Sequence, residues 1–189
     1  MTTAREVESI LAAEKTPDRR IRSLAALLTA ESGLGTDGVL VVGGSAIEIY
    51  TGGAYVSGDI DILVTDREQA ARVLRSWGFR DEGKMFTKPS LDLYVDLMQR
   101  ENSGSARLTR ILSTRFGPVR LGAIEDLIVK RLRETRFWSQ PKALAQAILL
   151  AQRFDREIEW AYVEFFAKQD KLEDLLEAVR KSAGRTKRR

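Results

Sequence analysis

The chain contains no cysteine and no histidine. Without cysteine there are no disulfides and no thiolate zinc sites. Without histidine, serine–histidine and cysteine–histidine nucleophile schemes fall away, together with most zinc hydrolase designs. Catalysis in such a chain has to rest on carboxylates, Lys or Arg, hydroxyls, and a hard, oxygen-loving cation such as Mg2+. Long apolar runs are missing as well. None approaches the length that spans a bilayer, and the opening Met1-Thr2-Thr3-Ala4-Arg5-Glu6 lacks the pattern of a secretion signal. A cytoplasmic protein without a membrane partner is expected.

What is present is ordinary globular usage. The 189 residues are 31% charged and 43% hydrophobic, which supports one domain, or a small one with an appendage, around a sizeable core. The net charge of +4 is concentrated in the C-terminal run from Arg180 to Arg189. A basic tail of this kind either touches RNA or is a solvated chain end, and the solvated end is the preferred reading. The rest of the chain is near neutral, which argues against a protein that coats nucleic acid.

Periodicity places a helix over residues 4–14 and a second one after Thr16-Pro17, with Thr16 as N-cap and Ile21, Leu24, Leu27 and Leu28 on one face. Thr65-Asp66-Arg67-Glu68 has the form of a capping box opening a helix that runs through Trp77, with Ala70, Val73, Leu74 and Trp77 inward and Gly78 closing it. Lys84 to Thr87 and Leu91 to Met98 predict a hairpin around Lys88-Pro89-Ser90, and Val119-Arg120-Leu121 a short closing strand. Residues 99–109 read as polar and irregular. Helices are predicted at 123–136, 140–153, 155–168 and 170–182, with Asp155 and Asp170 as N-caps and Glu173 completing a box with Asp170. The expected architecture is α/β of α+β type: a small mixed sheet flanked by helices over residues 1–122, then a helical subdomain with a basic tail over 123–189.

The chemistry concentrates in two stretches. Val39-Leu40-Val41-Val42-Gly43-Gly44-Ser45 reads as a buried strand, a glycine turn and a short helix from Ala46 to Tyr50. Asp59-Ile60-Asp61-Ile62-Leu63-Val64 follows a glycine-rich loop and reads as a strand opening with two aspartates. Strand side chains alternate faces, so Asp59 and Asp61 project the same way while Ile60 and Ile62 enter the core. Two carboxylates so close repel each other, and a divalent cation relieves the repulsion. The amides of Gly44 and Ser45 at a helix N-terminus offer an anion site. A metal pair beside a phosphate cradle points to phosphoryl or nucleotidyl transfer. In the later strand Asp92, Tyr94 and Asp96 share a face. Of the two carboxylates Asp96 is preferred as a site residue because Val95 and Leu97 place it mid-strand, whereas Asp92 abuts the turn.

Gly43-Gly44-Ser45, a spacer, and Asp59-Ile60-Asp61 resemble the signature of the nucleotidyltransferase superfamily, whose fold is shared with DNA polymerase beta. The order Tyr55-x-Ser57-x-Asp59-Ile60-Asp61, Gly78-Phe79, Leu91-Asp92-Leu93-Tyr94-Val95-Asp96 and Glu125-Asp126-Leu127-Ile128-Val129-Lys130-Arg131-Leu132 is similar to a less characterised microbial branch. That branch lies near abortive-infection toxins, which transfer nucleotides to acceptors such as tRNA, and near minimal nucleotidyltransferases and antibiotic-modifying enzymes. Toxin relatives carry an Asp-rich stretch after the equivalent of Lys130, whereas here residues 138–146 contain no aspartate.

The resemblance implies transfer of an NMP from an NTP to a hydroxyl on RNA, protein or a small molecule. It implies Mg2+ or Mn2+ held by Asp59, Asp61 and Asp96, with Gly43, Gly44, Ser45 and Lys130 binding nucleotide. It leaves open a catalytically silent nucleotide-binding module and an interaction component of a toxin–antitoxin pair, with an antitoxin protein as partner. Lys130, Arg131 and Arg133 with Phe137 and Trp138 form a basic–aromatic cluster, read equally as phosphate-binding or as a solvated face over core aromatics. Tyr50 and Tyr55 either stack on a base or cover the core; for Tyr50 the core is preferred.

Overall fold

The computed structural model describes residues 2–100 and 109–186. The chain divides into two compact units, Met1–Gly122 and Ala123–Arg189. The first holds the whole sheet, with strand order β3-β4-β5-β2-β1-β7-β6. Its strands are β1 (Val39–Val41), β2 (Ile60–Val64), β3 (Arg80–Asp81), β4 (Met85–Lys88), β5 (Leu93–Gln99), β6 (Arg110–Thr114) and β7 (Gly117–Leu121). Strand β1 runs antiparallel to the central strand β2 and parallel to β7, and β2 runs parallel to β5.

Alternation sorts the faces as period two requires. Ile60, Ile62 and Val64 of β2 and Leu93, Val95 and Leu97 of β5 are buried, while Asp61 and Asp96 fall on the opposite, half-buried side. Helices α1 (Ala4–Ala13), α2 (Pro17–Glu31), α3 (Gly43–Thr51) and α4 (Arg67–Ser76) complete the unit. The expected inward residues of α4, together with Trp77, are all buried.

Some boundaries differ from the sequence reading. Pro17 opens α2, but the Thr16 hydroxyl turns to the Asp18 carboxylate and makes no cap bond. Asp66, not Thr65, caps α4, accepting from the Gln69 amide. Asp92 stands just outside β5: residues 89–91 form a turn of 3-10 helix, and Asp92 terminates it at φ 51°. Strands β3 and β6 were not anticipated, and of the stretch read as irregular, residues 101–108 lie outside the described residues.

Among the described residues the second unit is four helices: α5 (Ile124–Phe137), α6 (Ala143–Phe154), α7 (Trp160–Gln169) and α8 (Glu173–Thr186). Asp155 is the last-turn cap of α6, and Asp170 ends α7 instead of starting α8. The Asp170 carboxylate is drawn to Arg133 at 2.6 Å, a charge-assisted bond that outcompetes a cap. The end of the basic tail, Lys187 to Arg189, lies outside the described residues. Among those described, no helix is long and apolar enough to cross a membrane.

Candidate active site

The site is built where β1 turns into α3. Gly43 adopts φ +58°, a conformation that suits glycine, so the strand stops at Val41 and the helix begins at Gly43, earlier than the expected Ala46. A second constraint acts at the same residue, because a Cβ on Gly43 would collide with the Asp61 carboxylate. At Gly44 a Cβ would lie 2.6 Å from the Ser57 hydroxyl oxygen. The two glycines let α3 approach both the aspartate strand and the loop before it.

Asp61 lies against the start of α3. Its Oδ2 accepts from the Gly44 amide at 3.0 Å, and its backbone carbonyl accepts from the Val42 amide at 3.0 Å. The anion nearest this helix N-terminus is therefore the protein's own carboxylate, held by an amide and by the helix dipole. Ser45 is fully buried, donates to the Asp59 carbonyl at 2.8 Å and accepts from the Asp61 amide at 2.9 Å. Both bonds go to the aspartate backbone, so its hydroxyl pins helix to strand.

Asp59 sits one residue before β2, where its Oδ1 accepts a long 3.4 Å bond from the Ser57 hydroxyl. Asp96 is the direct register partner of Asp61 on the parallel strand β5. Their backbones are thus about 4.8 Å apart, with side chains on one face. One oxygen of Asp96, Oδ1, is buried without a hydrogen-bond partner. Among the described residues, no group of three or more acidic side chains is gathered closely enough to hold an ion. The donors suit a hard cation in type, all being carboxylate oxygens, and the unsatisfied Asp96 oxygen is the kind of group a cation would complete.

Beside Asp59 is a cavity of about 260 Å³. Asp59 and Asp92 contribute carboxylates to its lining, Glu48 a buried carboxyl, Tyr94 an aromatic wall and Arg20 a single cation. The Arg20 guanidinium is committed to the carbonyls of Leu11 and Leu91 at 3.1 and 3.2 Å. The cavity's unspent charge is negative.

Glu48 was not singled out in the sequence, although a lone acid within Ala46-Ile47-Glu48-Ile49-Tyr50 is a signal for it. It is 0% exposed; Oε2 accepts from the Ser57 amide at 2.6 Å, while Oε1 is buried and unpartnered. Burial pushes its carboxyl above the usual range, the Ser57 amide opposes the shift, and the charge of Asp18 reinforces it. The native state therefore holds the Glu48 proton more tightly than the unfolded chain does. Its contribution to stability is full below the unfolded value of about 4.5 and is lost as pH rises through the raised native value. Glu48→Gln removes that dependence. Thermal melts of the two proteins from acid to neutral pH should diverge in favour of Gln as pH rises; a difference that stays flat would refute the buried-acid assignment.

The remaining expectations sort out locally. Tyr50 is buried and donates to the Gly122 carbonyl at 2.8 Å, so it serves the core. In the second unit, Lys130 is exposed on α5, 4.0 Å from Glu134. With Arg133, Glu134, Trp138 and Gln140 it lines a cavity of about 440 Å³. Phe137 and Trp138 are 58% and 64% exposed, which removes the reading of them as core aromatics.

No protein-family model matches the chain, and no curated protein matches it by sequence. Solved structures do. The solution structure of the antibiotic-resistance factor ANT(2'')-Ia superposes with a TM-score of 0.55 at 17% identity, covering 85% of this chain and 96% of that one. The crystal structure of ANT(2'')-Ia in complex with adenylyl-2''-tobramycin gives 0.51 at 16% identity, covering 86% and 98%. At these identities the likeness is one of fold.

Proposed function

We propose that this chain is a nucleotidyltransferase that moves a nucleoside monophosphate from an NTP to a hydroxyl acceptor with the help of Mg2+ or Mn2+. The observation that carries the reading is the pairing of Asp61 with Asp96 on adjacent parallel strands, one oxygen of Asp96 buried and unsatisfied, beside the glycine-opened start of α3. Asp59, Asp61 and Asp96 are the residues assigned to hold the cation, which when bound neutralises triphosphate charge and polarises the reacting phosphoryl group. In the transfer, the acceptor oxygen bonds to the α-phosphorus and the bond from that phosphorus to the β-bridging oxygen breaks. Pyrophosphate leaves, and the hydroxyl proton passes to a site carboxylate.

The triphosphate is assigned beside the first turn of α3, where the helix dipole favours anions and Asp61, already holding the Gly44 amide, adjoins it. Ser45 contributes by fixing that turn, since both sides of its hydroxyl are already bonded. The acidic lining of the cavity beside Asp59 disfavours a polyanionic acceptor there and supports a small hydroxyl compound over tRNA or another RNA. That ANT(2'')-Ia was crystallised with adenylyl-2''-tobramycin is in keeping with this choice. No specific observation favours a silent module or an antitoxin partner.

Calorimetry with each NTP should show affinity rising sharply with Mg2+ or Mn2+, and labelled NTP with Mg2+ should mark small hydroxylated amines in preference to total RNA. Equal NTP binding in EDTA would sink the metal-dependent reading, and labelling of RNA alone would sink the acceptor assignment.

A further inference from the structure

Between α3 and β2 the chain crosses residues 52–58, a segment outside helix and strand that leads directly into Asp59. Its start is tethered to the helix end, where the Gly52 amide donates to the Ile49 carbonyl and the Gly53 amide to the Glu48 carbonyl. At its far end the Ser57 amide donates to the Glu48 side chain at 2.6 Å, and the Ser57 hydroxyl donates to Asp59 at 3.4 Å. The same hydroxyl lies over Gly44, where even one added carbon would meet it.

We infer that Glu48 is the positioning residue for Asp59: a buried carboxyl on α3 that holds the Ser57 amide and so sets the segment that presents Asp59 to the site. This deepens the nucleotidyltransferase reading and rests on it for what Asp59 does. The bond is short at 2.6 Å and lies where water is excluded, which makes it stronger than the same bond in water. Keeping a carboxyl here is costly, since one oxygen has no partner and no part of the residue reaches solvent. A fold needing only a filler between Ile47 and Ile49 would be more stable with an apolar residue. Stability given up at a functional position is the expected pattern. The chain Glu48–Ser57–Asp59 is therefore the outer support of a ligand, the arrangement through which second-tier residues set cation affinity.

The test uses Glu48→Ala, Glu48→Gln, Ser57→Pro and Ser57→Ala in the full chain, each verified as folded by circular dichroism. The first readout is Mn2+ titration by electron paramagnetic resonance, alone and with an ATP analogue whose α–β bridge cannot be cleaved. The second is amide hydrogen exchange at residues 52–59. Glu48→Ala should weaken Mn2+ binding by about 10-fold or more and speed exchange at Ser57. Glu48→Gln keeps an acceptor for the Ser57 amide and should restore both readouts. Ser57→Pro removes the amide donor and the hydroxyl together without touching Glu48, and Ser57→Ala, which removes the hydroxyl alone, separates the two. The Pro variant should reproduce the Mn2+ loss, and Ser57→Ala should not, even if Glu48→Ala fails to fold. Wild-type Mn2+ affinity in either Glu48→Ala or Ser57→Pro overturns the inference. So does a Gln variant as weak as Glu48→Ala, because charge, not the bond to Ser57, would then be at work. A wild-type protein that binds no Mn2+ would overturn the nucleotidyltransferase reading instead, and the exchange readout would still decide whether Glu48 holds the segment.

Discussion

Asp96→Ala should lower nucleotidyl transfer by about two orders of magnitude or more, since a lost cation ligand removes several kcal/mol of transition-state stabilisation. The expectation rests on register. Asp96 pairs with Asp61 across β2 and β5, whereas Asp92 ends a 3-10 turn in the left-handed region and lies outside the strand. Because Asp96 Oδ1 is buried without a partner, truncation also removes an unsatisfied group, so the melting temperature should hold or rise. Asp92 lines the cavity beside Asp59 and is bonded by the Tyr94 hydroxyl. Asp92→Asn, which tolerates the positive φ, should therefore change acceptor KM while leaving metal-dependent NTP affinity in place. Steady-state kinetics and melting curves on the two variants check this. If Asp92→Asn abolishes NTP binding and Asp96→Ala does not, the roles of the two carboxylates are exchanged.

Gly43→Ala should be the most damaging single methyl in the chain. Two penalties fall on one atom. The residue sits at φ +58°, where a Cβ costs about 1–2 kcal/mol, and that Cβ would occupy the space of the Asp61 carboxylate. Asp61 is also bonded to the neighbouring Gly44 amide, so it has little freedom to move aside without releasing that bond. A displacement of about 1 Å at a reacting centre is enough for a loss of about 100-fold in rate. The variant should fold with reduced stability and lose transfer far beyond what the stability change explains. Gly35→Ala is a control for backbone strain without a clash: it has φ +68° at ψ 179°, a region essentially restricted to glycine, and nothing within 4 Å of the added carbon. It should lose stability and keep activity. Equal activity loss in both would mean that backbone strain alone, and not the clash with Asp61, is responsible.

The sequence by itself determined the α/β class, the alternating faces of the aspartate strand and of β5, the buried face of α4, and the order of the motifs. These are local matters: period two, helical spacing and glycine punctuation act over a few residues and do not depend on what packs where. It also pointed to Asp96 over Asp92, through the apolar neighbours that mark a strand interior. Only the tertiary structure decided which strands became neighbours. The parallel pairing that sets Asp61 opposite Asp96 joins residues 35 positions apart, and nothing local encodes that register. Strand β6 was hidden because none of its residues is buried, the alternation running only between half-buried and exposed, and its pairing partner is supplied by β7. Asp170 lost its expected capping role to Arg133, a residue 37 positions earlier that only packing brings near. Glu48 was passed over because a charged residue in an apolar helix draws notice only once its surroundings are known. Its meaning comes from the Ser57 amide that folding delivers to it, and from the water that folding removes.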